Sequence, residues 1–162
     1  METFSKKKLK NLSTIALSSQ RKRQHYNFHK SYDEKCQKLI NAISVDSYIR
    51  PHRHLNDPKN EFLYALSGLF AILIFNDDGV IESLDFLCSD DLFDYNIAVE
   101  IAPQSWHTVI ALKDNSALLE VKDGPFKPEY AKEFADWAPA ESSLESIKYF
   151  NELKLYCIKK LL

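Results

Sequence analysis

The sequence predicts a single domain that is mainly β, a sandwich or small barrel, with helices at both ends. A chain of 162 residues can bury about 70% of the surface that its unfolded form exposes. Aromatic residues, which favour strands, make up 12% of it. From Tyr48 onward, roughly seven or eight short apolar runs bounded by turn residues fall within about 75 residues, a density typical of sandwiches and barrels.

Two helices are predicted before the strands. Ser5 can cap the first, in which one face carries Leu9, Leu12, Ile15 and Ala16. Ser31 and Glu34 form a capping box for the second, whose apolar residues at helical spacing are Cys36, Leu39, Ile40 and Ile43. We therefore assign residues 1–46 to a helical segment that packs on the barrel.

The predicted barrel spans residues 47–126. EFLYALSG and LFAILIF meet at Gly68, and VIESLDFL follows the hairpin turn NDDG, which together predict a meander. After the polar loop CSDDLFDYN come IAVEIA, WHTVIAL, the turn KDNS and ALLEVK.

Residues 127–162 form the predicted C-terminal extension, within the same structural domain. Ser142 or Ser143 can cap an amphipathic helix whose apolar face holds Leu144, Ile147, Leu155, Ile158 and Leu162. That face is expected to dock either on the domain itself or on a second subunit of a homodimer, and the two alternatives are about equal.

The composition argues against several classes of partner. With 23 acidic and 21 basic residues the net charge is −2, so no general field attracts nucleic acid or an anionic membrane. No segment approaches the length of a membrane span or a signal-peptide core. Three cysteines in no C-x-x-C arrangement suggest neither a disulfide framework nor a thiolate zinc site. We therefore expect a cytoplasmic protein whose partner is a small molecule.

Two histidines at alternate positions point to a metal site. In a strand, residues i and i+2 point to the same side, so His52 and His54 can present their imidazoles together. The turn-forming residues LNDPKN follow, so the next strand can run back and bring Glu61 opposite the pair. Closure of a barrel could add His107, which begins another strand.

Three imidazoles and one carboxylate suit a single divalent ion. Fe²⁺, Mn²⁺, Ni²⁺, Zn²⁺ and Co²⁺ all accept these ligands, and octahedral geometry leaves positions open for water or substrate. The alternative is that these are ordinary strand-end residues, whose imidazoles bond to backbone carbonyls or to water.

HRHLNDPKNEFLYALSG resembles the first cupin motif, in which two histidines precede a glutamate and a later glycine, and IAPQSWHTV resembles the second, which supplies the last histidine. The resemblance is closer still to the WbuC-type cupin-fold metalloproteins. It covers about residues 20 to 141 and includes QRKRQHYNFH, YIRPHRH, LEVKDGPF and FADWAPAE. It implies a cupin double-stranded β-helix, a jelly-roll barrel, with the metal bound inside by His52, His54, Glu61 and His107.

Two positions depart from the general cupin motif. The gap between His54 and Glu61 is longer than usual, as it is in the WbuC-type subgroup. Gln104 stands where a turn glycine is usual before the final histidine, so the tightness of that turn and the reach of His107 are the features to check.

Further polar residues can line a substrate pocket. Arg23, His25, Asn27 and His29 alternate in RKRQHYNFHK, and in an extended chain they point one way, toward the barrel mouth. Arg50 and Lys122 can hold an anionic group near the metal. The plainer alternative is solvated surface charge with satisfied histidines.

No residue is singled out as the catalytic base, although His29 and Tyr64 are candidates. The predicted function is a metal-binding cupin that acts on a small anionic or sugar-derived substrate in an isomerase- or epimerase-like reaction. A link to surface polysaccharide biosynthesis, of the O-antigen and lipopolysaccharide kind, comes from the resemblance alone. Two alternatives stay open: an iron-dependent oxygenase-type enzyme, and a non-catalytic sugar-binding or sensor module.

Overall fold

The computed structural model describes residues 1–90 and 94–161, which form two opposed antiparallel sheets with a helix at each end. The elements in chain order are α1 (Lys6–Ser18), β1 (Arg23–Asn27), β2 (Cys36–Ile43), β3 (His52–Arg53), β4 (Glu61–Ser67), β5 (Leu69–Phe75), β6 (Ile81–Cys88), β7 (Ala98–Ile101), β8 (Trp106–Ala111), β9 (Ser116–Asp123), a 3-10 turn (Pro128–Tyr130), β10 (Glu133–Phe134) and α2 (Glu145–Leu161). One sheet has the order β1-β2-β9-β4-β7 and the other β10-β3-β8-β5-β6. The predicted mainly β jelly roll is confirmed.

The main apolar core lies between the two sheets. Alternate residues of each strand face inward, and the buried cluster that they form includes Ile43, Leu63, Ala65, Phe70, Ile72, Leu87, Val109, Ala111 and Leu118. The six apolar runs predicted from Glu61 onward therefore become β4 to β9, because their inward positions are apolar.

Helix α1 packs on the outer face of the first sheet. Its Leu12 and Ala16 lie against Ile40, Ala42 and Ala117. The predicted cap is confirmed, since the Ser5 side chain accepts a hydrogen bond from the Lys8 amide at 3.3 Å.

The helix predicted after Ser31 is wrong. Glu34 does accept a bond from the Ser31 amide, but the following residues form β2, which pairs with β1 and β9. One face of β2 lines the barrel interior and the other packs under α1, so Leu39, Ile40 and Ile43 are all buried. A strand that is buried on both faces reads as a continuous apolar run, and spacing alone does not separate it from a helix. The first sheet therefore begins at Arg23, ahead of the predicted barrel boundary at residue 47.

Helix α2 forms as predicted but packs through a different face. Its buried residues are Ser146, Phe150, Leu153 and Cys157, and they cover the outer face of the second sheet. Most of the predicted docking face is exposed, with Leu144 at 84% and Ile147 at 62% of full accessibility; Leu162 lies outside the described residues. Docking of that face on the domain is wrong, and docking on a second subunit stays a prediction. No described helix is long and apolar enough to cross a membrane.

Candidate metal centre

Four side chains from both sheets meet at one end of the barrel interior. His52 on β3 pairs directly with His107 on β8 in the second sheet. His54 lies just after β3, and Glu61 opens β4 in the first sheet. Their ligand atoms all lie within 4.8 Å of one another. All four residues are at most 5% exposed, so the structure brings together the whole ligand set that the sequence predicts.

The backbone fixes which nitrogen each histidine presents. Nδ1 of His52 lies 3.0 Å from the Arg50 carbonyl, Nδ1 of His54 lies 2.7 Å from the Ala131 carbonyl, and Nδ1 of His107 lies 3.0 Å from the Ser105 carbonyl. A carbonyl oxygen only accepts, so each Nδ1 must donate its proton. In its neutral form, a ring that donates from Nδ1 turns an unprotonated Nε2 toward the centre, the arrangement that second-shell bonds impose on metal-binding histidines.

These nitrogens face another acceptor. Oε2 of Glu61 lies 3.1 Å from Nε2 of His107 and 3.4 Å from Nε2 of His54. Lone pairs that face each other in a buried site need a cation between them. Two ligand atoms that are each about 2.1 Å from an ion, at right angles to each other, lie about 3.0 Å apart. The distances from Oε2 of Glu61 to the two imidazoles are close to this value. The residues present therefore fit one divalent metal ion.

The other oxygen of Glu61 is held by a lysine. Nζ of Lys122 lies 2.9 Å from Oε1 of Glu61 and 2.7 Å from Oε1 of Glu120. Burial alone raises the pKa of Glu61, but the charge of Lys122, the largest influence against it, acts in the other direction, and that pKa lies well below its ordinary value. Glu61 is therefore an ionised carboxylate with Oε2 left for the metal.

Glu120 and Lys132 are two residues of this region that the sequence did not single out. Burial, with a smaller contribution from Glu61, raises the pKa of Glu120 although Lys122 opposes it. Lys132 is exposed to solvent. Desolvation by the surrounding protein is still the largest influence on its pKa and lowers it to about 8. Glu120 could have been found from the sequence, because it lies two residues from Leu118 in ALLEVK and therefore shares its inward face. Lys132 had none, because β10 is only two residues long.

The predicted substrate residues divide into two groups. Arg23 and His25 lie on the face of β1 opposite Tyr26, which packs in the α1 cluster; Arg23 is buried, whereas His25 and Asn27 are exposed. Burial and then the charge of Lys132 lower the pKa of His25 to about 4, so this imidazole is neutral near pH 7. Lys122 reaches the metal ligands as an ion-pair partner of Glu61 rather than as a free cation.

Arg23 and Arg50 line a neighbouring cleft of about 640 Å³. Nη2 of Arg23 lies 2.7 Å from each carboxylate oxygen of Glu141. Arg50 donates to the Ala135 carbonyl. These two arginines thus tie the C-terminal segment to the barrel. The cleft adjoins the metal centre through Phe134, whose ring centroid is 6.3 Å from that of His52.

The structure does not bring either candidate base to the centre. His29 is 8% exposed, and its Nδ1 lies 3.2 Å from the amide of Lys38, which donates to it. It is a structural histidine between β1 and β2. Tyr64 alternates with Leu63 and Ala65, which are buried between the sheets, so its side chain lies on the opposite face of β4 from Glu61.

The turn before His107 closes without a glycine. The Ser105 amide donates to the Ala102 carbonyl at 3.1 Å. Among the described non-glycine residues, positive φ occurs at Lys22 and Asn115 and not at Gln104. Gln104 therefore does not keep His107 from the site, because this turn does not use the left-handed conformation that favours glycine.

Solved structures share this fold at low sequence identity. Protein SO0799 from Shewanella oneidensis aligns with a TM-score of 0.54 and 10% identity over 83% of this chain and 84% of that chain. The protein TT1209 from Thermus thermophilus aligns with a TM-score of 0.51 and 17% identity over 76% of this chain and 98% of that chain. Oxalate decarboxylase from Bacillus subtilis, in a structure concerned with its Mn(II) centres, aligns with a TM-score of 0.51 and 16% identity over 70% of this chain and 28% of that chain. These similarities identify the fold as the cupin jelly roll.

Sequence comparisons place the chain in a family. No curated protein sequence matches it. A family model described as "Domain of unknown function (DUF6016)" matches residues 4–86, which is just over half of the 162 residues. The matched range contains three of the four predicted metal ligands and ends before His107. The chain therefore belongs to the family "Domain of unknown function (DUF6016)".

Proposed function

We propose that this protein is a metal-dependent enzyme with the cupin fold that acts on a small anionic or sugar-derived substrate by isomerase- or epimerase-like chemistry. The observation that carries the proposal is the convergence of one carboxylate and three imidazoles, each with its Nδ1 bonded to a backbone carbonyl, in a buried site. A divalent metal held there supplies a Lewis acid for a substrate oxygen.

The chain's own residues prepare the site in two ways. Backbone carbonyls fix the three imidazole rings, so little reorganisation is needed when the metal binds. Lys122 occupies Oε1 of Glu61, which favours a single bond from Glu61 to the metal. His52, His54, Glu61 and His107 would hold the ion, which in an octahedral arrangement would have positions left for substrate oxygens.

Several finer points belong to the same proposal. Mn²⁺ is the first metal to test, because the similar oxalate decarboxylase structure concerns Mn(II) centres. The sequence resemblance to WbuC-type proteins supports a substrate from surface polysaccharide biosynthesis. A cytoplasmic setting agrees with three cysteines that are all free.

Metal content tests the centre itself. Purified protein is loaded with Mn²⁺, Fe²⁺ or Zn²⁺, dialysed, and analysed by elemental mass spectrometry beside the His52→Ala, His54→Ala double variant. We expect about one ion per wild-type chain and almost none in the double variant. His25→Ala is the matched control, because it removes a barrel histidine outside the ligand set. Equal metal content in wild type and double variant would refute the proposal.

Turnover separates an enzyme from a binding module. Metal-loaded protein is incubated in D₂O with a panel of sugar phosphates and nucleotide-sugars, and proton NMR follows deuterium uptake beside the carbonyl. We expect exchange that the double variant lacks. Oxygen consumption without exchange would point instead to an oxygenase, and ligand binding without either signal to a sensor or sugar-binding module.

A further inference from the structure

A lysine without an ionic partner lies at the mouth of the barrel, next to the metal centre. In the β3–β10 ladder Phe134 pairs with His52 and Glu133 pairs with Arg53. The same register places Lys132 opposite His54. Arg53 and Glu133 form an ion pair on the other face. Lys132 directly precedes β10, and alternation continued by this one residue assigns it to the side of Phe134 and His52.

Electrostatic contacts agree with that placement. Burial and then the charge of Lys132 lower the pKa of both His25 and His52. Lys132 is likewise influenced by Glu61, Lys122 and Glu120. These influences agree with the side that the register assigns to Lys132.

The two lysines of this region differ in how they are neutralised. Lys122 contacts two carboxylates, those of Glu61 and Glu120. Lys132 has no ion pair and no hydrogen bond within residues 1–90 and 94–161. Lys132 is exposed, and a cation that is accessible at a binding site and lacks a partner favours an anionic ligand.

The charges of the mouth sum to an excess of positive charge once a metal is bound. In the described part of the chain, a divalent ion, Lys122 and Lys132 would face the carboxylates of Glu61 and Glu120. Near them Asn41, which is 7% exposed and opposite His25 in the β1–β2 ladder, has a side-chain oxygen with no hydrogen-bond partner. An unpaired buried acceptor favours a ligand that carries a hydroxyl group.

We propose that Lys132 binds the anionic group of a hydroxylated small substrate, a sugar acid or a sugar phosphate, whose other oxygens meet the metal and Asn41. This inference rests on the proposed function, because it assumes a metal in the four-ligand site. It names the substrate class of that site and adds a specificity-determining residue to it.

Calorimetric titrations of Mn²⁺-loaded protein with D-gluconate, D-glucose 6-phosphate and D-glucose test the inference. We expect one of the two anions to bind, and the neutral sugar to bind at least about tenfold more weakly. Lys132→Met should weaken binding of that anion about tenfold to hundredfold. Lys132→Arg, which keeps the charge, should restore most of it, and Lys127→Met, which removes an exposed lysine nearby, should leave it unchanged.

A separate titration of Mn²⁺ into metal-free protein distinguishes the two levels of the proposal. Lys132→Met should bind Mn²⁺ at least as tightly as wild type, because it removes a positive charge near the ion, and a melting curve checks that it is folded; Lys132→Gln replaces it if the Met variant is unstable. Normal Mn²⁺ binding with no preference for either anion, or with unchanged anion affinity in Lys132→Met, would overturn the inference alone. Failure of the wild type to bind any divalent metal would overturn both.

Discussion

The two ends of the barrel interior are built by the same strands and have opposite chemistry. Along three of them the inward positions pass from polar to apolar, in the series Glu61, Leu63, Ala65 on β4, His107, Val109, Ala111 on β8, and Lys122, Glu120, Leu118 on β9. Alternation decides which residues face inward, and distance along the strand decides whether they form a core or a site. The apolar end is stabilised by burial alone, whereas the polar end is satisfied only as a connected set.

Removing a metal ligand should break the polar end most completely. His107→Ala eliminates one of three imidazoles, and we expect Mn²⁺ affinity to fall by more than about a hundredfold. Because a ligand that binds only the folded state stabilises it, saturating metal should raise the melting temperature of wild type but not of this variant. His25→Ala serves as control and should keep the metal-dependent rise. An equal rise in His107→Ala would exclude His107 as a ligand.

Truncating a core residue should break the apolar end without touching the site. Phe70 is fully buried between the sheets, so Phe70→Ala should lower the free energy of unfolding by about 3–5 kcal/mol, measured by urea denaturation. The exposed Val80 offers a control, since Val80→Ala should change stability by less than about 0.5 kcal/mol. Folded Phe70→Ala should still bind metal with wild-type stoichiometry. Loss of metal from the folded variant would mean that the two ends are not independent.

The lysine between the two carboxylates should have an intermediate effect. Lys122→Met frees Oε1 of Glu61 and leaves two buried carboxylates beside each other, so Mn²⁺ affinity should fall about tenfold to hundredfold. Adding Glu120→Gln removes one of those charges and should recover part of the affinity. Calorimetric titration of Mn²⁺ measures both variants. An unchanged affinity in Lys122→Met would show that Glu61 needs no support from Lys122.

The sequence predicted the polar end better than the surroundings of the barrel. Two histidines at alternate positions, the turn after them and Glu61 determined the site almost locally, and motif resemblance supported His107. Strands β5, β6 and β8 followed from short apolar runs between turns. The second predicted helix failed because β2 is covered on both faces, and that depends on α1, whose docking position no local pattern reveals.

The remaining misses have the same physical origin. The buried face of α2 is set by the shape of the second sheet, which the sequence of the helix does not reveal. The apolar stripe with Leu144 and Ile147 was predicted to dock because of its helical spacing, but it is exposed. Lys132 enters the site through a ladder of only two residue pairs, too short for alternation to be visible in sequence. Tyr64 and His29 were plausible bases by residue type, but one lies on the outer face of β4 and the other bonds to the backbone of Lys38.

Turn chemistry at the two ends gives the smallest expected effect. Gln104 precedes His107 in a turn that needs no positive φ, whereas Asn115, between β8 and β9 at the apolar end, has a φ of 58°. Gln104→Gly should therefore lower the free energy of unfolding by about 0.4–1 kcal/mol, because glycine gains freedom in the unfolded chain. Asn115→Gly should change it less, because relief of the left-handed conformation offsets the same loss. Urea denaturation compares the two, and Mn²⁺ affinity of Gln104→Gly should stay within about threefold of wild type. A tighter metal site in Gln104→Gly would mean that the glutamine does restrain the approach of His107.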